Sequence, residues 1–295
     1  MAADPHALAE ALRLPAGVEI RPLAARAELE ACGDLQRRGW GPGFADVASP
    51  AVLKIVQNVG GVAAGAFDAS GALLGFVFGV TGLADGQQRA LLHWSHMLAV
   101  LPEARGRDLG YHLKLYQRRR LLELGVESAL WTFDPLVAKN AHLNLVRLGV
   151  RAVRYARDYY GEGSDSALSA GIGTDRFVVE WRLADERVAR RVDRAGPGPE
   201  LSPEHAAAPV ANVRPAGGEA VAAEPPSAPV VRVEVPDDIL EVRRRSPEQA
   251  SHWRGSTRQA FEALLDRGYR VETLYREGAG EGARAFYVLR KEGGA

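Results

Sequence analysis

The sequence feature that most constrains this fold is a hydrophobic run followed by a proline turn, an arginine- and glycine-rich loop and the start of a helix. The run is Ala90–Gly110, ALLHWSHMLAVLPEARGRDLG. It predicts a strand, a turn and a helix from Asp108 to about Leu124, ended by Gly125. Such a loop presents backbone N–H groups and the positive end of a helix dipole, and its small side chains let a pyrophosphate approach the main chain. An ordinary strand-to-helix turn of an α/β protein is the alternative interpretation.

The composition is that of a globular protein and excludes several functional classes. Basic and acidic side chains balance at 37 each, which argues against a nucleic-acid partner. The single cysteine, Cys32, allows no intrachain disulfide and no cysteine-based metal site, and we expect no bound metal. The first residues lack the pattern of a secretory signal, and no apolar run is long enough to span a membrane. We therefore expect a cytoplasmic protein without a membrane partner.

Apolar periodicity and turn residues divide the chain into three segments. The first, 15–185, is expected to form a mixed α/β sheet flanked by helices, in the order β-α-α-β-β-β-α-β-α-β-β. Its expected strands are 18–23, 61–67, 72–80, 90–100, 127–133, 151–159 and 176–183, and its expected helices are 25–38, 50–58, 108–124 and 136–148. Residues 186–228, rich in alanine, proline and glycine, predict a linker or loosely packed insert. Residues 229–292 are expected to form a small αβ extension docked on the first segment.

The loop and the order of elements together resemble the GNAT acyltransferase superfamily. The family's acyl-coenzyme A signature, Q/R-x-x-G-x-G/A, falls on Arg105, Asp108 and Gly110, so Asp108 stands where the family has its first glycine. The resemblance covers about 15–185 and implies a GNAT-like fold with an acyl-CoA cosubstrate. The aspartate adds a negative charge near the pyrophosphate and leaves a backbone cradle possible.

Several strings extend the resemblance to a bacterial GNAT subfamily associated with N-acylamino-acid racemases. These strings are HWSHMLAVLPEARG, WTFDPL, NAHLNLVRLGV, YARDYYG and TDRFVVEW, together with the C-terminal block that begins VEVPDDI. The resemblance implies transfer of an acetyl or succinyl group from acetyl-CoA or succinyl-CoA to a primary amine, with amino acids among the acceptors.

The resemblance also implies which residues bind the coenzyme. In the family the fourth strand is bulged and splays from the fifth, and the pantetheine arm lies in the gap. By position, the backbone of Leu98 and Val100 would hold that arm. Asn140 is the family-like side-chain contact to the arm, or else a solvent-facing helix residue. The pyrophosphate cradle is expected at Arg105, Gly106, Arg107, Asp108, Leu109 and Gly110.

The usual base and acid of the family are absent from this chain. Trp94 stands at the position that often holds a glutamate base, and Leu145 at that of a tyrosine acid. We expect His96 as the general base, because it lies near the splay point and histidine has a suitable pKa. A hydrogen-bonded core histidine is the alternative.

The expected general acid is Tyr160, which also fits a plain strand end. Other polar candidates in this region are Tyr155, Tyr159 and Asn144. A thiolate leaving group needs only modest help from an acid, so the missing family tyrosine does not argue against activity.

Two acidic positions near strand ends are candidates for binding the acceptor. Asp134, at the end of the fifth strand, would bind an acceptor ammonium or orient a base, or else cap the next helix. Asp175 and Arg176 form either a clamp for an acceptor carboxylate or a structural ion pair.

The resulting interpretation is an acyl-CoA-dependent N-acyltransferase with a small-molecule amine acceptor, acting in a ternary complex. The sequence leaves the oligomeric state open, with a homodimer as one option. One alternative is a non-catalytic acyl-CoA-binding or regulatory protein, which the missing glutamate and tyrosine favour. Another is a protein-lysine acyltransferase, in which the C-terminal segment builds an acceptor groove.

Overall fold

The computed structural model describes residues 14–84, 90–161, 171–193, 201–212, 226–278, 280 and 283–292. Along 14–161 its elements are β1 (Glu19–Pro22), α1 (Arg26–Trp40), α2 (Pro50–Asn58), β2 (Val62–Phe67), β3 (Leu73–Leu83), β4 (Leu91–Val100), α3 (Leu109–Glu123), β5 (Ser128–Phe133), α4 (Ala138–Ala141) and β6 (Arg151–Ala156). Thereafter they are β7 (Arg176–Arg182), α5 (Glu186–Asp193), α6 (Pro203–Ala207), β8 (Val230–Pro236), α7 (Ile239–Arg245), α8 (Pro247–Asp266), β9 (Tyr269–Glu277) and β10 (Arg284–Lys291). The expected order of elements over 15–185 and the mixed α/β class are confirmed.

Strand pairing among the described residues is of both kinds. The strand order is β1-β2-β3-β4-β5-β7-β6 in one sheet and β8-β10-β9 in a second. The pairs β1–β2, β2–β3, β3–β4 and β6–β7 are antiparallel, whereas β4–β5 is parallel. The second sheet, in the C-terminal extension, is antiparallel throughout.

The described residues form two compact units. The first contains 14–131 and 181–189, and the second contains 132–161, 171–180 and the described residues from 190 onward. The segments 15–185, 186–228 and 229–292 expected from composition divide the chain at other residues.

Strand β4 has two very different edges. Along β3 it pairs from Leu91 to Val100, with a β-bulge where Phe78 faces Met97 and Gly79 faces Ser95, so that His96 has no opposite residue. Along β5 the parallel register covers three pairs, from Leu92–Ser128 to Trp94–Leu130. From Ser95 onward, β4 has no β5 partner in the described register. The strand is therefore free on this edge beyond Trp94.

The helices α1 and α2 cover one face of the first unit's sheet. Leu29, Cys32 and Leu35 of α1 are buried against Leu53 of α2 and strand residues such as Phe76. Ser49 is the N-cap of α2: its hydroxyl accepts the Val52 N–H, and Pro50 lies in the first turn. This cluster is a close-packed apolar core, in which each large side chain excludes water.

In the second unit, one helix of the C-terminal extension packs aromatic side chains together. Phe261 of α8 lies 4.8 Å from Phe177 of β7 and 5.1 Å from Tyr287 of β10, measured between ring centroids. All three residues are fully buried. The Tyr287 hydroxyl donates to the Pro135 carbonyl at 2.8 Å, which satisfies its polar atom inside the core.

Several expected elements differ in detail. The helix expected over 136–148 is a short α-helix followed by a π-helix, His142–Arg147, in which Leu148 N–H bonds the Leu143 carbonyl. The strand expected to reach Tyr159 ends at Ala156, and 157–160 form a turn. Part of the segment 186–228 is helical, in α5 and α6. Local patterns miss these ends because tertiary contacts determine them.

Among the described residues, no helix is both long and apolar enough to cross a membrane.

The buried cysteine leads to a simple test. Cys32 is fully buried, and burial raises the pKa of its thiol to about 12. Because the thiolate is the reactive form, the native protein should not react with Ellman's reagent. After denaturation we expect one reactive thiol per chain. Rapid stoichiometric reaction of the native protein would contradict this packing.

Candidate functional site

The loop between β4 and α3 turns through two residues with positive φ. Gly106 has φ 81° and Asp108 has φ 55°, and Leu109 is the first helical residue. Aspartate is among the few residues with a side chain that enter the left-handed region readily. Asp108 therefore takes the conformation that a glycine would otherwise provide, which explains how the chain departs from Q/R-x-x-G-x-G/A without losing the turn.

Four backbone N–H groups of this loop have no protein acceptor among the described residues. They belong to Gly106, Arg107, Leu109 and Gly110, none of which donates a backbone hydrogen bond within the described part of the chain. Arg105 N–H, by contrast, donates to the Pro102 carbonyl at 3.2 Å. Residues 105–108 are exposed. Free amides at the start of a fifteen-residue helix are suited to an anionic ligand, since the helix dipole adds positive potential there.

The strand residues expected to hold the coenzyme arm lie beside this loop. Leu98 and Val100 are half-buried on β4, beyond the point at which β5 pairing ends. A Cβ built on Gly110 would point towards them, 3.8 Å from Leu98 Cδ2 and 4.0 Å from Val100 Cγ2. The cradle and this part of β4 therefore face each other within the first unit.

His96 sits at the bulge of β4 and is exposed. Its ring is edge-on to Phe78 at 5.7 Å between centroids. Desolvation of the imidazole by the surrounding protein lowers the pKa of His96 below its ordinary 6.5. The nearby carboxylate of Asp46 opposes that shift. The ring is therefore neutral at neutral pH and able to accept a proton.

His93, on the same strand, is the buried histidine. Its Nδ1 is 2.9 Å from Thr81 Oγ1, and its Nε2 is 3.0 Å from Gln117 Nε2. Since the Thr81 hydroxyl donates to the Gly60 carbonyl, Nδ1 carries the proton and Nε2 accepts from Gln117. Burial lowers the pKa of His93 to about 3.

The polar chain continues to a fully buried lysine on α3. Lys114 Nζ donates to Ser95 Oγ at 2.6 Å and to Gln117 Oε1 at 3.1 Å, and lies 3.6 Å from the centroid of the Trp131 ring. No carboxylate in the described residues forms an ion pair with it. Burial holds the pKa of Lys114 well below its ordinary value, which favours the uncharged amine. These hydrogen bonds join Lys114 and Gln117 of α3 to Ser95, the residue of β4 that follows the last β4–β5 pair.

In the second unit, Asp134 is bound by two arginines. Its Oδ1 accepts the Leu136 N–H at 2.9 Å, so it closes the turn after β5. Its Oδ2 lies 2.6 Å from Arg254 Nη2 and 3.6 Å from Arg176 Nη1. Burial alone would lower the pKa of Arg254, but the Asp134 carboxylate holds that pKa above its ordinary value.

The neighbours Asp175 and Arg176 point to different partners. Asp175 is fully buried and accepts from Arg258 Nη2 at 2.5 Å, Arg258 Nε at 2.8 Å and the Tyr155 hydroxyl at 2.5 Å. Burial would raise the pKa of Asp175, but the Arg258 and Tyr155 contacts hold it below its ordinary value. Asp175 is thus saturated by structural bonds, and Arg176 joins the Asp134 cluster instead.

Tyr160 also belongs to the second unit. Its hydroxyl is 3.0 Å from Thr132 Oγ1, its ring lies 5.3 Å from the Arg176 guanidinium carbon, and it is 49% exposed. Asn140 is exposed on α4, and Asn144 is buried in the π-helix. Tyr160 is therefore the accessible hydroxyl beside the arginine cluster.

Four residues of these networks escape sequence reasoning: Lys114, Gln117, Arg254 and Arg258. Arginine is so abundant here that the two arginines carry no signal, since only four of the 37 basic residues are lysines. Lys114 is one of those four lysines. Its position among apolar residues in the sequence of α3 is the signal that could have indicated its burial.

Comparison with solved structures finds acetyltransferases. NAA60 of Arabidopsis thaliana, in complex with acetyl-CoA, is 18% identical, covers 56% of this chain and 99% of that chain, and has a TM-score of 0.44. The ribosomal-protein-S18-alanine N-acetyltransferase of Escherichia coli is 17% identical. The match covers 57% of this chain and 95% of that chain, with a TM-score of 0.43. A GNAT superfamily phosphinothricin acetyltransferase of Sinorhizobium meliloti, with acetyl-CoA, is 15% identical, covers 56% and 87%, and has a TM-score of 0.42.

No protein-family model and no curated protein sequence matches this chain.

The buried histidine makes stability depend on pH in a defined direction. The pKa of His93 is about 3 in the folded protein and about 6.5 when exposed, so the unfolded chain binds more protons between these values. Folding stability should therefore fall as pH decreases through this window, by up to about 1.4 kcal/mol per pH unit from this residue. Urea unfolding of the wild type and His93→Gln at pH 6.5 and 4.5 measures the effect. Equal losses in both proteins would show that His93 does not titrate as described.

Proposed function

We propose that the protein is a GNAT-type acyltransferase that moves an acetyl or succinyl group from acyl-CoA to a primary amine. The observation that carries this proposal is the exposed loop with four unpaired amides at the start of α3, beside a strand that leaves its neighbour after Trp94. The resemblance of RGRDLG to the acyl-CoA signature supports the same function.

The loop residues fit the diphosphate of a coenzyme. Gly106, Arg107, Leu109 and Gly110 would donate backbone N–H groups, and Arg105 and Arg107 would add charge at an exposed position. Leu98 and Val100 would hold the pantetheine arm along the free edge of β4. Asn140 is proposed as a further contact to this arm.

The bound thioester would supply an acyl carbon that a neutral amine attacks, forming a C–N bond as the C–S bond breaks. The protein would hold the two substrates in line, which is a large part of the rate enhancement in such reactions. A backbone N–H of β4 near Leu98 would polarise the carbonyl. Leu98 lies beyond the last β4–β5 pair, Trp94–Leu130, and this position supports that role.

Proton transfer is assigned to His96 and Tyr160. His96 would accept the amine proton, since its lowered pKa keeps it neutral. Tyr160, half-exposed and hydrogen-bonded to Thr132, would protonate the leaving thiolate. Asp134 is proposed as a positioning residue, because both of its oxygens are already engaged.

Release of free thiol tests the proposal directly. Acetyl-CoA and succinyl-CoA are incubated with amines, with amino acids and with a lysine peptide, and thiol is measured with Ellman's reagent. Release with small amines supports the proposed enzyme, and release with the peptide alone would indicate protein acylation. Coenzyme binding without release for any acceptor would favour a non-catalytic acyl-CoA-binding protein.

A pair of substitutions at Gly110 tests the cradle. Gly110 has negative φ and space for a methyl group, so Gly110→Ala should fold and bind CoA much as the wild type does. Gly110→Phe would place a ring towards Leu98 and Val100 and block the approach to the main chain. We expect it to weaken the CoA dissociation constant, measured by calorimetry, by about tenfold or more. A folded Gly110→Phe protein with unchanged affinity would rule out this cradle.

A second test addresses the base. His96→Gln should lower kcat by about 100-fold or more if His96 accepts the proton. In the wild type, kcat/KM should fall at acidic pH with a midpoint below 6.5, the ordinary pKa of histidine. That acidic limb should disappear in His96→Gln. An unchanged limb would assign the titration to another group.

A further inference from the structure

One guanidinium of the second unit is buried without a full set of acceptors. Arg254 of α8 is 4% exposed. Its Nε donates to the Ile172 carbonyl at 3.0 Å, and its Nη2 donates to Asp134 Oδ2 at 2.6 Å. Its Nη1 is buried and has no hydrogen-bond partner among the described residues. Buried donors are rarely left unpaired in native proteins, and those of a charged group are the most costly.

A second guanidinium lies beside the same carboxylate oxygen. Arg176 Nη1 lies 3.6 Å from Asp134 Oδ2 and donates to the Asp175 carbonyl at 2.9 Å, and the Arg176 side chain is 13% exposed. The other oxygen of Asp134 is taken by the Leu136 N–H. Each guanidinium presents five N–H donors, so the two groups together offer more donors than the single Asp134 carboxylate can accept. The cluster therefore has spare donors for a second carboxylate.

The charges around the cluster are locally separated. Asp134, Arg176 and Arg254 sum to one positive charge, whereas the adjacent Asp158, Asp175 and Arg258 sum to one negative charge. Asp175 is saturated by its own hydrogen bonds and cannot turn towards Arg254. The Asp134 side therefore carries the positive half of this charge separation.

We propose that Arg254 and Arg176 bind a carboxylate group of the substrate, with Arg254 Nη1 as a principal donor and Asp134 as the residue that holds both arginines. This inference rests on the acyl transfer proposed above and specifies its substrate class. The carboxylate is either that of an amino-acid acceptor or the terminal carboxylate of a succinyl group. Arg176 and the half-exposed Tyr160 are the most accessible members, so the ligand enters on their side. The C-terminal extension, through α8, therefore supplies a specificity residue.

Matched substrates distinguish the two sources. Leucine is compared with leucinamide, using acetyl-CoA, and succinyl-CoA is compared with butyryl-CoA, using one neutral amine. Preference for leucine assigns the carboxylate to the acceptor, and preference for succinyl-CoA assigns it to the acyl group. Equal kcat/KM within both pairs would overturn the proposal.

Arg254→Lys tests the residue itself. Lysine keeps a cation beside Asp134 but removes the fork that carries Nη1. We expect KM for the carboxylated substrate to rise by about 10- to 100-fold, with KM for its neutral partner essentially unchanged. Arg176→Gln, at a more exposed position, is the second variant should Arg254→Lys fail to fold. Arg157→Gln is the matched control, because the Arg157 side chain is 56% exposed and, among the described residues, its ion pair is with Glu262 alone.

Direct binding separates this inference from the proposed enzyme activity. Calorimetric titration of leucine and of succinate into the wild type and Arg254→Lys, with CoA present and absent, needs no turnover. Loss of binding in Arg254→Lys supports the carboxylate site even if no thiol is ever released. Thiol release with wild-type KM values in a folded Arg254→Lys protein would leave the transferase intact and refute the site.

Discussion

Strand β4 is paired from Leu91 to Val100 on one edge, apart from the bulge at His96, and over only three residue pairs on the other edge within the described register. Backbone N–H and C=O groups must find partners, so an open edge inside a sheet is stable only if the strand is held by other bonds and if water or a ligand satisfies the free groups. Here the bulge at His96 and the pairing with β3 determine where the strand goes after it leaves β5. The coenzyme site we propose depends on that opening.

A buried hydrogen-bond network between β4 and α3 holds β4 in place where it separates from β5. Ser95, the first residue beyond the β5 pairing, is tied to Lys114 and Gln117 of α3, and Gln117 in turn to His93. All four of these residues are buried, so each hydrogen bond is strong and each loss would be costly. The same helix carries the free amides of the loop at its first turn. One helix thus carries both these free amides and the side chains that are hydrogen-bonded to β4.

In the second unit, ion pairs from a single helix hold several loop residues in place. Helix α8 contributes Arg254 to Asp134 and Arg258 to Asp158 and Asp175, and these bonds hold the turn that carries Tyr160. Breaking one member of a buried ion pair leaves an uncompensated charge, so such clusters resist rearrangement. The unpaired Nη1 of Arg254 stands out against this background of saturated groups.

Local patterns in the sequence determined most of the elements and the loop at Arg105, because turns, caps and apolar periodicity act over a few residues. They also located the strand on which His96 lies. The partners of the charged side chains were decided only by the tertiary structure: Arg254 reaches Asp134 across 120 residues, and Arg258 reaches Asp175 across 83. No periodicity spans such distances, and in an arginine-rich chain residue type alone does not select a partner. For the same reason, the burial of Lys114 without a carboxylate followed only from the packing of α3 against the sheet.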